Sequence, residues 1–335
     1  MLFLNKSQLL ALLLAWSLLS AAGTLAAEPV TAETSTPEQL VDALNGVFGK
    51  HPGARPVHAK GIMLEGTFTP SASASALSKA PHLQKASVPV TVRFSDFAGI
   101  PDIQDTHEPA SPRGLAVKFD LPGGSETDIV AHSFNGFPAA TTDEFRQLLI
   151  ALGMSGKDTP KPTPLDTFLG SHPIAKAFLE AAKPAPVSYA TLPYFGVNSF
   201  KFTNADGAAQ FGRYQFQSVA GAQYLTKDEL AKASPNYLQD EIVKRTGAAP
   251  AKFRLLVQIA EKGDKIEDPS VAWPDTRRTV ELGTIEIVKP VADNAAAQRQ
   301  TVFLPNALPD GIAAADPMID ARSAAYAVSF SRRNQ

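Results

Sequence analysis

The chain has 335 residues, 31 lysines and arginines against 33 aspartates and glutamates, and no cysteine. It is long enough to bury a sizeable core, and its near balance of charge, without a basic stripe, argues against a nucleic-acid partner. The lack of cysteine excludes disulfides and thiolate ligands, so any metal is held by oxygen or nitrogen or arrives inside a cofactor.

The first segment reads as a targeting signal. Lys6 supplies the positive end, Leu9 to Leu19 the apolar stretch, and Ala21 to Ala27 a small-residue cleavage region. The apolar stretch is short for a membrane anchor, which predicts cleavage, no stable membrane insertion and a periplasmic or secreted product. Residues 1–27 are then the signal peptide and 28–335 a single domain.

Thr36-Pro37-Glu38-Gln39 is a capping box, and Leu40, Val41, Leu44, Val47 and Phe48 recur at helical spacing after it. Alternation from Arg55 to Phe68 predicts a strand, followed by a serine-alanine stretch and a second strand over Val88 to Ser95. Arg113 to Asp120 is a third strand, closed by Pro122-Gly123-Gly124, and Asp128 to His132 a short fourth. A helix is expected over Asp143 to Leu152 with Asp143 or Thr142 at its cap, then a proline-spaced loop and a further helix over Asp166 to Ala182. Val197 to Thr203, Gln210 to Phe216, Phe253 to Glu261 and Arg278 to Val288 read as strands, with a helical region starting at Thr226 and interrupted near Pro235. Regular strand-helix alternation is missing. The expected class is α+β, an antiparallel sheet or barrel with attached helices.

The last stretch, Asp316 to Arg333, reads as a helix opened by an Asp-Pro cap. Arg322 and Tyr326 stand one turn apart on one face with Met318 and Ile319. A tyrosine ionises only near pH ~10, and a guanidinium in hydrogen-bond reach favours the phenolate, the form that binds a hard ferric ion. An ordinary amphipathic helix explains the same spacing. The six histidines, at 51, 58, 82, 107, 132 and 172, lack the spacing of a zinc site, and no G-x-G-x-x-G, Walker or G-x-S-x-G motif occurs.

Three separated stretches now combine with that helix. Arg55-Pro56-Val57-His58-Ala59-Lys60-Gly61, Arg93-Phe94-Ser95 and Arg113-Gly114-Leu115-Ala116-Val117-Lys118-Phe119 resemble the successive strand signatures of the haem catalase fold, and Arg322-x-x-x-Tyr326 resembles its proximal haem helix. Phe202 to Gly207, Asp268 to Pro274, Phe303-Leu304-Pro305 and Gly311-Ile312 are supporting matches in the family's order. The resemblance implies an antiparallel catalase-like barrel that binds haem b, with Tyr326 as the iron ligand and Arg322 as its charge partner. It implies His58 as the distal acid and base, oriented by Ser95. Arg55, Arg93 and Arg333 would pair with the haem propionates, Val57 would line the distal channel, and Phe137 and Phe145 would be apolar contacts around the distal pocket.

Two departures from the family's pattern are visible. Catalases place an asparagine just after the small residue of the fourth strand, whereas His132 stands there in an ungapped alignment and Asn135 is out of register. His132 is therefore a candidate second proton carrier, with a simple structural substitution as the alternative. The chain is also shorter than long catalases on both sides of the barrel, which predicts a more open haem edge. Both departures point to the smaller catalase-related peroxidases, which reduce peroxide at the expense of small organic donors. The alternatives are a true catalase disproportionating hydrogen peroxide, an enzyme rearranging fatty acid hydroperoxides, and an exported ligand-binding module without turnover.

Overall fold

The computed structural model describes residues 34–335; the leader assigned to residues 1–27 lies outside the described residues. Helix α1 (Pro37–Phe48) starts on the capping box, with Thr36 accepting from the Gln39 N–H and Gln39 answering on the Thr36 N–H. The chain then turns into β1 (Gly61–Pro70), α2 (Ala74–Leu77), β2 (Val88–Ser95), β3 (Gly114–Asp120) and β4 (Glu126–His132). Helices α3 (Thr142–Gly153), α4 (Pro164–Ser171) and α5 (Pro173–Glu180) follow, then β5 (Tyr194–Phe195), β6 (Phe200–Thr203) and β7 (Ala209–Ser218). The chain ends through α6 (Lys227–Leu230), α7 (Tyr237–Ala248), β8 (Ala251–Ile259), β9 (Thr279–Pro290), α8 (Asn294–Gln300), β10 (Ile312–Ala314) and α9 (Met318–Arg333).

Every pairing between these strands is antiparallel, and the additional pairing of β7 with β8 closes an eight-stranded barrel of β1–β5 and β7–β9. Strands β6 and β10 extend it from β7. Closure removes the free edges that an open sheet would present. Alternation along the strands decides which side is which. Ile62 and Leu64, Val92 and Phe94, Leu115 and Val117, and Ile129 and Ala131 all enter the main apolar core. Their neighbours Met63, Arg93, Ser95, Ala116, Val130 and His132 therefore stand on the opposite face. The register aligns Gly61 with Ser95, Ser95 with Gly114, and Gly114 with His132, so these four form one row across β1 to β4. Arg93, Ala116 and Val130 form the next row.

Outside this face α1 packs on α3 and α9, and Leu40 and Val41 join Ala325 in a small apolar cluster. Residues 35–335 make one compact unit.

The structure corrects four sequence expectations. Strand β1 begins at Gly61, not at Arg55, because His58 has a left-handed φ of 56° and its N–H is donated to the Phe97 carbonyl at 2.7 Å. That bond folds the segment before β1 onto the loop after β2. The helix expected over 166–182 is two helices, split at His172 by the proline that starts the second. The cap of α3 is Thr141, whose hydroxyl accepts from the Glu144 N–H. Helix α8 was not anticipated, since it buries no residue and has no apolar face to announce it.

Candidate functional site

The row Gly61–Ser95–Gly114–His132 carries the site. A Cβ on Gly114 would come within 2.5 Å of Ser95 Oγ and 2.7 Å of His58 Nδ1, so the imidazole of His58 lies directly on the glycine backbone. A Cβ on Gly61 would fall 2.6 Å from an Arg93 guanidinium nitrogen. Glycine inside a strand marks such close approach. Ser95 Oγ lies 3.1 Å from His58 Nδ1, and Phe97 meets the ring edge-on, with centroids 5.4 Å apart at 85°. Burial, Arg93 and His132 in that order push the imidazole down to about 3, while a backbone hydrogen bond to Asp96 acts the other way. The ring is neutral. With the N–H on Nδ1 directed at Ser95 Oγ, the lone pair would fall on Nε2.

A buried polar network pins the chain beside these residues. Arg113, next to Gly114, pairs with Asp96, next to Ser95, and Tyr189 donates to the same carboxylate at 3.0 Å. Arg113 Nη2 also reaches the Asp105 carbonyl at 2.5 Å. Lys60 Nζ, two residues after His58, sits 2.5 Å from the Asp105 carboxylate. Removing one partner of such a buried pair strands a charge and is costly, so the positions of His58, Ser95 and Gly114 are tightly held.

Helix α9 carries the other side. Arg322 Nη2 and Nε lie 2.8 and 3.3 Å from Tyr326 Oη, the one-turn pairing expected from their spacing. Two guanidinium donors on a phenol oxygen are the arrangement that stabilises an oxyanion. Arg322 Nη1 donates to Asn198 Oδ1, and Asn198 Nδ2 donates to Asp316 Oδ2 at 2.6 Å. Asp316 Oδ1 in turn accepts from the Met318 N–H at 2.9 Å. Thus one carboxylate caps the helix and, through Asn198, orients the arginine on Tyr326.

Three further arginines gather at one end. Arg55 donates to the Gln298 and Thr301 carbonyls, Arg93 to the His58 and Ala59 carbonyls and the Gln298 amide oxygen, and Arg333 to the Arg299 and Thr301 carbonyls. No carboxylate among the described residues pairs with any of the three. Burial, then Arg93 and Arg333, lower Arg55 to about 7; burial alone brings Arg333 to about 10. Arginine does not give up its proton in proteins, so burial and mutual repulsion leave these cations favouring an anionic partner.

Between the sheet face and α9 lies a mainly apolar cavity that opens to solvent. Arg55, Val57, His58, Ser95, Tyr326 and Arg333 all line it, with Arg93 beside them. Arg322 stands behind Tyr326. The remaining candidates are not on the wall. Phe137 and Phe145 pack on each other with ring centroids 4.9 Å apart, and His132 lies just beyond the lining residues Val130 and Ala131. Sequence reasoning missed Gln298, Asn198 and the role of Gly114. The strand glycine was a readable signal; the two amides had none.

The arrangement suits a flat dianionic group with a metal at its centre: apolar walls, a phenol and an imidazole on one cavity, and unpaired cations at the rim. Fold and site together define a prosthetic-group enzyme built on an antiparallel barrel. A family model described as Catalase matches residues 39–334, and the chain belongs to the catalase family. It is similar to the catalase-related peroxidase of Mycolicibacterium paratuberculosis, with 38% identity over 89% of this chain and 95% of that protein. The catalase-related peroxidase of Synechococcus elongatus is 33% identical over 90% of this chain and 89% of its own length. Among solved structures, a fungal catalase superposes with a TM-score of 0.75 at 19% identity, over 88% of this chain and 62% of that one. Catalase A of Saccharomyces cerevisiae gives 0.74 at 20%, over 88% and 64%. The chain thus spans less than two thirds of either solved catalase, and both show the fold. Family membership makes the protein a peroxide-acting oxidoreductase and implies a bound haem.

Proposed function

We propose that this chain is a haem b peroxidase that reduces hydrogen peroxide or organic peroxides at the expense of small organic electron donors. The observation that carries this reading is the single cavity lined by the His58–Ser95 pair and by Tyr326 with Arg322 at its oxygen. Tyr326 would hold the iron as phenolate, with Arg322 supplying the countercharge. Arg55, Arg93 and Arg333 would take the propionates, which turns three cations without a carboxylate partner into charge-assisted pairs. Bound haem supplies the redox centre between peroxide and donor.

His58 takes a proton from one peroxide oxygen at Nε2 and returns it to the other, so that the departing oxygen leaves as a neutral molecule. Ser95 keeps the N–H on Nδ1 and the lone pair of Nε2 available. Val57 and the apolar walls keep water from the proton in transit. The similarity to catalase-related peroxidases over nearly their whole length supports donor oxidation as the dominant reaction. The leader over residues 1–27 supports export, with the mature enzyme removing peroxide outside the cytoplasm. Among the described residues no helix is long and apolar enough to cross a membrane.

The test is a haem titration of the wild type and of Tyr326→Phe, followed by visible spectra and by peroxide turnover with a panel of phenolic donors. A wild type that binds haem and oxidises donors, beside a Tyr326→Phe protein with an altered spectrum and weakened haem retention, is the expected result. An unchanged Tyr326→Phe spectrum removes the ligand assignment. Oxygen evolution in excess of donor oxidation would make the enzyme a catalase in practice.

A further inference from the structure

The loop after β2 opens on Asp96, a fully buried carboxyl that plays no part in the proton transfer. It follows Ser95 directly, and its N–H is donated to the Lys60 carbonyl at 3.0 Å. The next residue, Phe97, takes the His58 N–H on its carbonyl at 2.7 Å. Asp96 Oδ1 accepts from Arg113 and, at 3.0 Å, from Tyr189. Arg113 in turn precedes Gly114, on which the His58 ring lies. Asp96 is therefore joined to the three pieces that locate the imidazole: the segment before β1, the Ser95 hydroxyl and the Gly114 backbone.

Half of this carboxyl is without a donor. Asp96 Oδ2 is buried and unpartnered among the described residues, and so is Arg113 Nε. A carboxylate facing a guanidinium is commonly gripped by two parallel N–H bonds, and here the second is not made. The carboxyl instead meets that of Asp105 in a hydrogen bond between the two acids. Such a bond needs a proton, because two carboxylates only accept. With Oδ1 of Asp96 taken by Arg113 and Tyr189, the proton belongs on Oδ2. Asp105 is the accepting member, since both its oxygens already receive donors, Lys60 Nζ at 2.5 Å and the Leu238 N–H at 2.7 Å. Burial is the largest influence on Asp96; Arg113 opposes it, Asp105 adds to it, and the group is raised to about 7. Around the pair stand the cations Lys60, Arg93 and Arg113, the phenols of Tyr189, Tyr194 and Tyr237, all pushed up by burial, and His58, pushed down to about 3.

We propose that Asp96 is a positioning residue for His58 that acts as a neutral carboxylic acid: Oδ1 accepts from Arg113 and Tyr189, Oδ2 donates to Asp105, and the segments so joined hold Ser95 and Gly114 against the imidazole. The inference rests on the peroxidase reading, in which His58 moves the peroxide proton.

The experiment compares the haem-loaded wild type with Asp96→Asn and Asp96→Ala at pH ~6, where an ordinary aspartate is ionised. The amide of Asp96→Asn copies the neutral acid, with an oxygen for Arg113 and Tyr189 and an N–H for Asp105. Its kcat/KM for hydrogen peroxide is expected within about threefold of wild type, while that of Asp96→Ala falls about a hundredfold. The kcat/KM for the donor is expected to be unchanged in both, a split that general damage to the fold would not give. An Asp96→Asn protein as slow as Asp96→Ala, or an Asp96→Ala protein as fast as wild type, overturns the proposal. Infrared spectra give a readout independent of turnover, and one that stands if Asp96→Ala does not fold. The wild type is expected to show a protonated-carboxyl C=O band that Asp96→Asn lacks; identical bands in the two overturn the proposal. Failure of the peroxidase reading looks different, because the wild type then turns over no peroxide while the band difference remains.

Discussion

The chemistry of the site turns on a residue without a side chain. Gly114 is where the His58 ring and the Ser95 hydroxyl meet, and a methyl group there has no room. Gly114→Ala is expected to displace the imidazole while leaving the haem slot in place. A misplacement of about 1 Å costs roughly a hundredfold in rate, so kcat/KM for peroxide should fall by about that factor with haem uptake retained. Equal rates in the two proteins would show that the imidazole position is not limiting. Most site residues were legible before the structure: His58, Ser95, Arg55, Arg93, Arg322, Tyr326 and Arg333 fall in ordered stretches that resemble one family. What that reading lacked was contact. Phe137 and Phe145, expected around the distal pocket, pack on each other and are not among the residues that line the cavity wall, because a strand or helix pattern does not say which apolar side chain faces an open cavity and which faces a neighbour.

At the level of elements, helix α9 depends on one carboxylate for two tasks. Asp316 accepts the Met318 N–H and the Asn198 amide, and Asn198 accepts from Arg322. An arginine only donates and a carboxylate only accepts, so the orientation of the Asn198 amide is determined by its two neighbours. Asp316→Ala removes a cap worth about 1 kcal/mol and leaves buried donors unpaired at about 1–3 kcal/mol more. Thermal unfolding of the haem-loaded protein should drop by roughly 5 °C or more. Asp316→Asn restores the cap but sets one amide donor against another, so it should recover part of the stability and still perturb the visible spectrum through Arg322. A spectrum identical to wild type in both variants would sever Asp316 from Tyr326. The boundaries of β2 and the start of α1 were readable because cap chemistry and period-two alternation are local. Those of β1 and α8 were not: the first is decided by a bond from His58 to Phe97, the second by the Gln298 contacts to Arg93 and to the Gly61 carbonyl.

For the molecule as a whole, buried neutral histidines contribute to the response to acid, against the opposite contribution of the buried Asp96 and Asp128 carboxyls, which burial pushes up to about 7 and about 6. His82 is sealed in the barrel core between Phe68 and Phe119, remote from the haem slot in sequence and function, with Nδ1 unpaired. Burial lowers it to about 4, and His58 and His132 are lowered to about 3. An unfolded histidine titrates near ~6.5, so below that pH the unfolded chain binds more protons than the folded one. The stability these groups contribute is fully present above pH ~6.5 and is lost as pH falls toward 4 and below. Urea unfolding across pH 7 to 4.5 should show this decline, and His82→Leu should flatten it by about one proton, ~1.4 kcal/mol per pH unit at most. An identical slope would mean that His82 titrates alike in both states. The amino-acid sequence by itself determined the class: mixed elements without regular alternation, an arginine one turn from a tyrosine, and four ordered stretches that resemble the catalase fold. Those features are local in the chain, and local propensity and spacing express them. Only the tertiary structure decided that the alternate face of β1 to β4 becomes one wall of a cavity, with the His58 ring laid on Gly114 and His132 beside it. Register between strands and closure of the barrel are long-range properties. They settle which side chains meet, and no stretch of the chain contains that information alone.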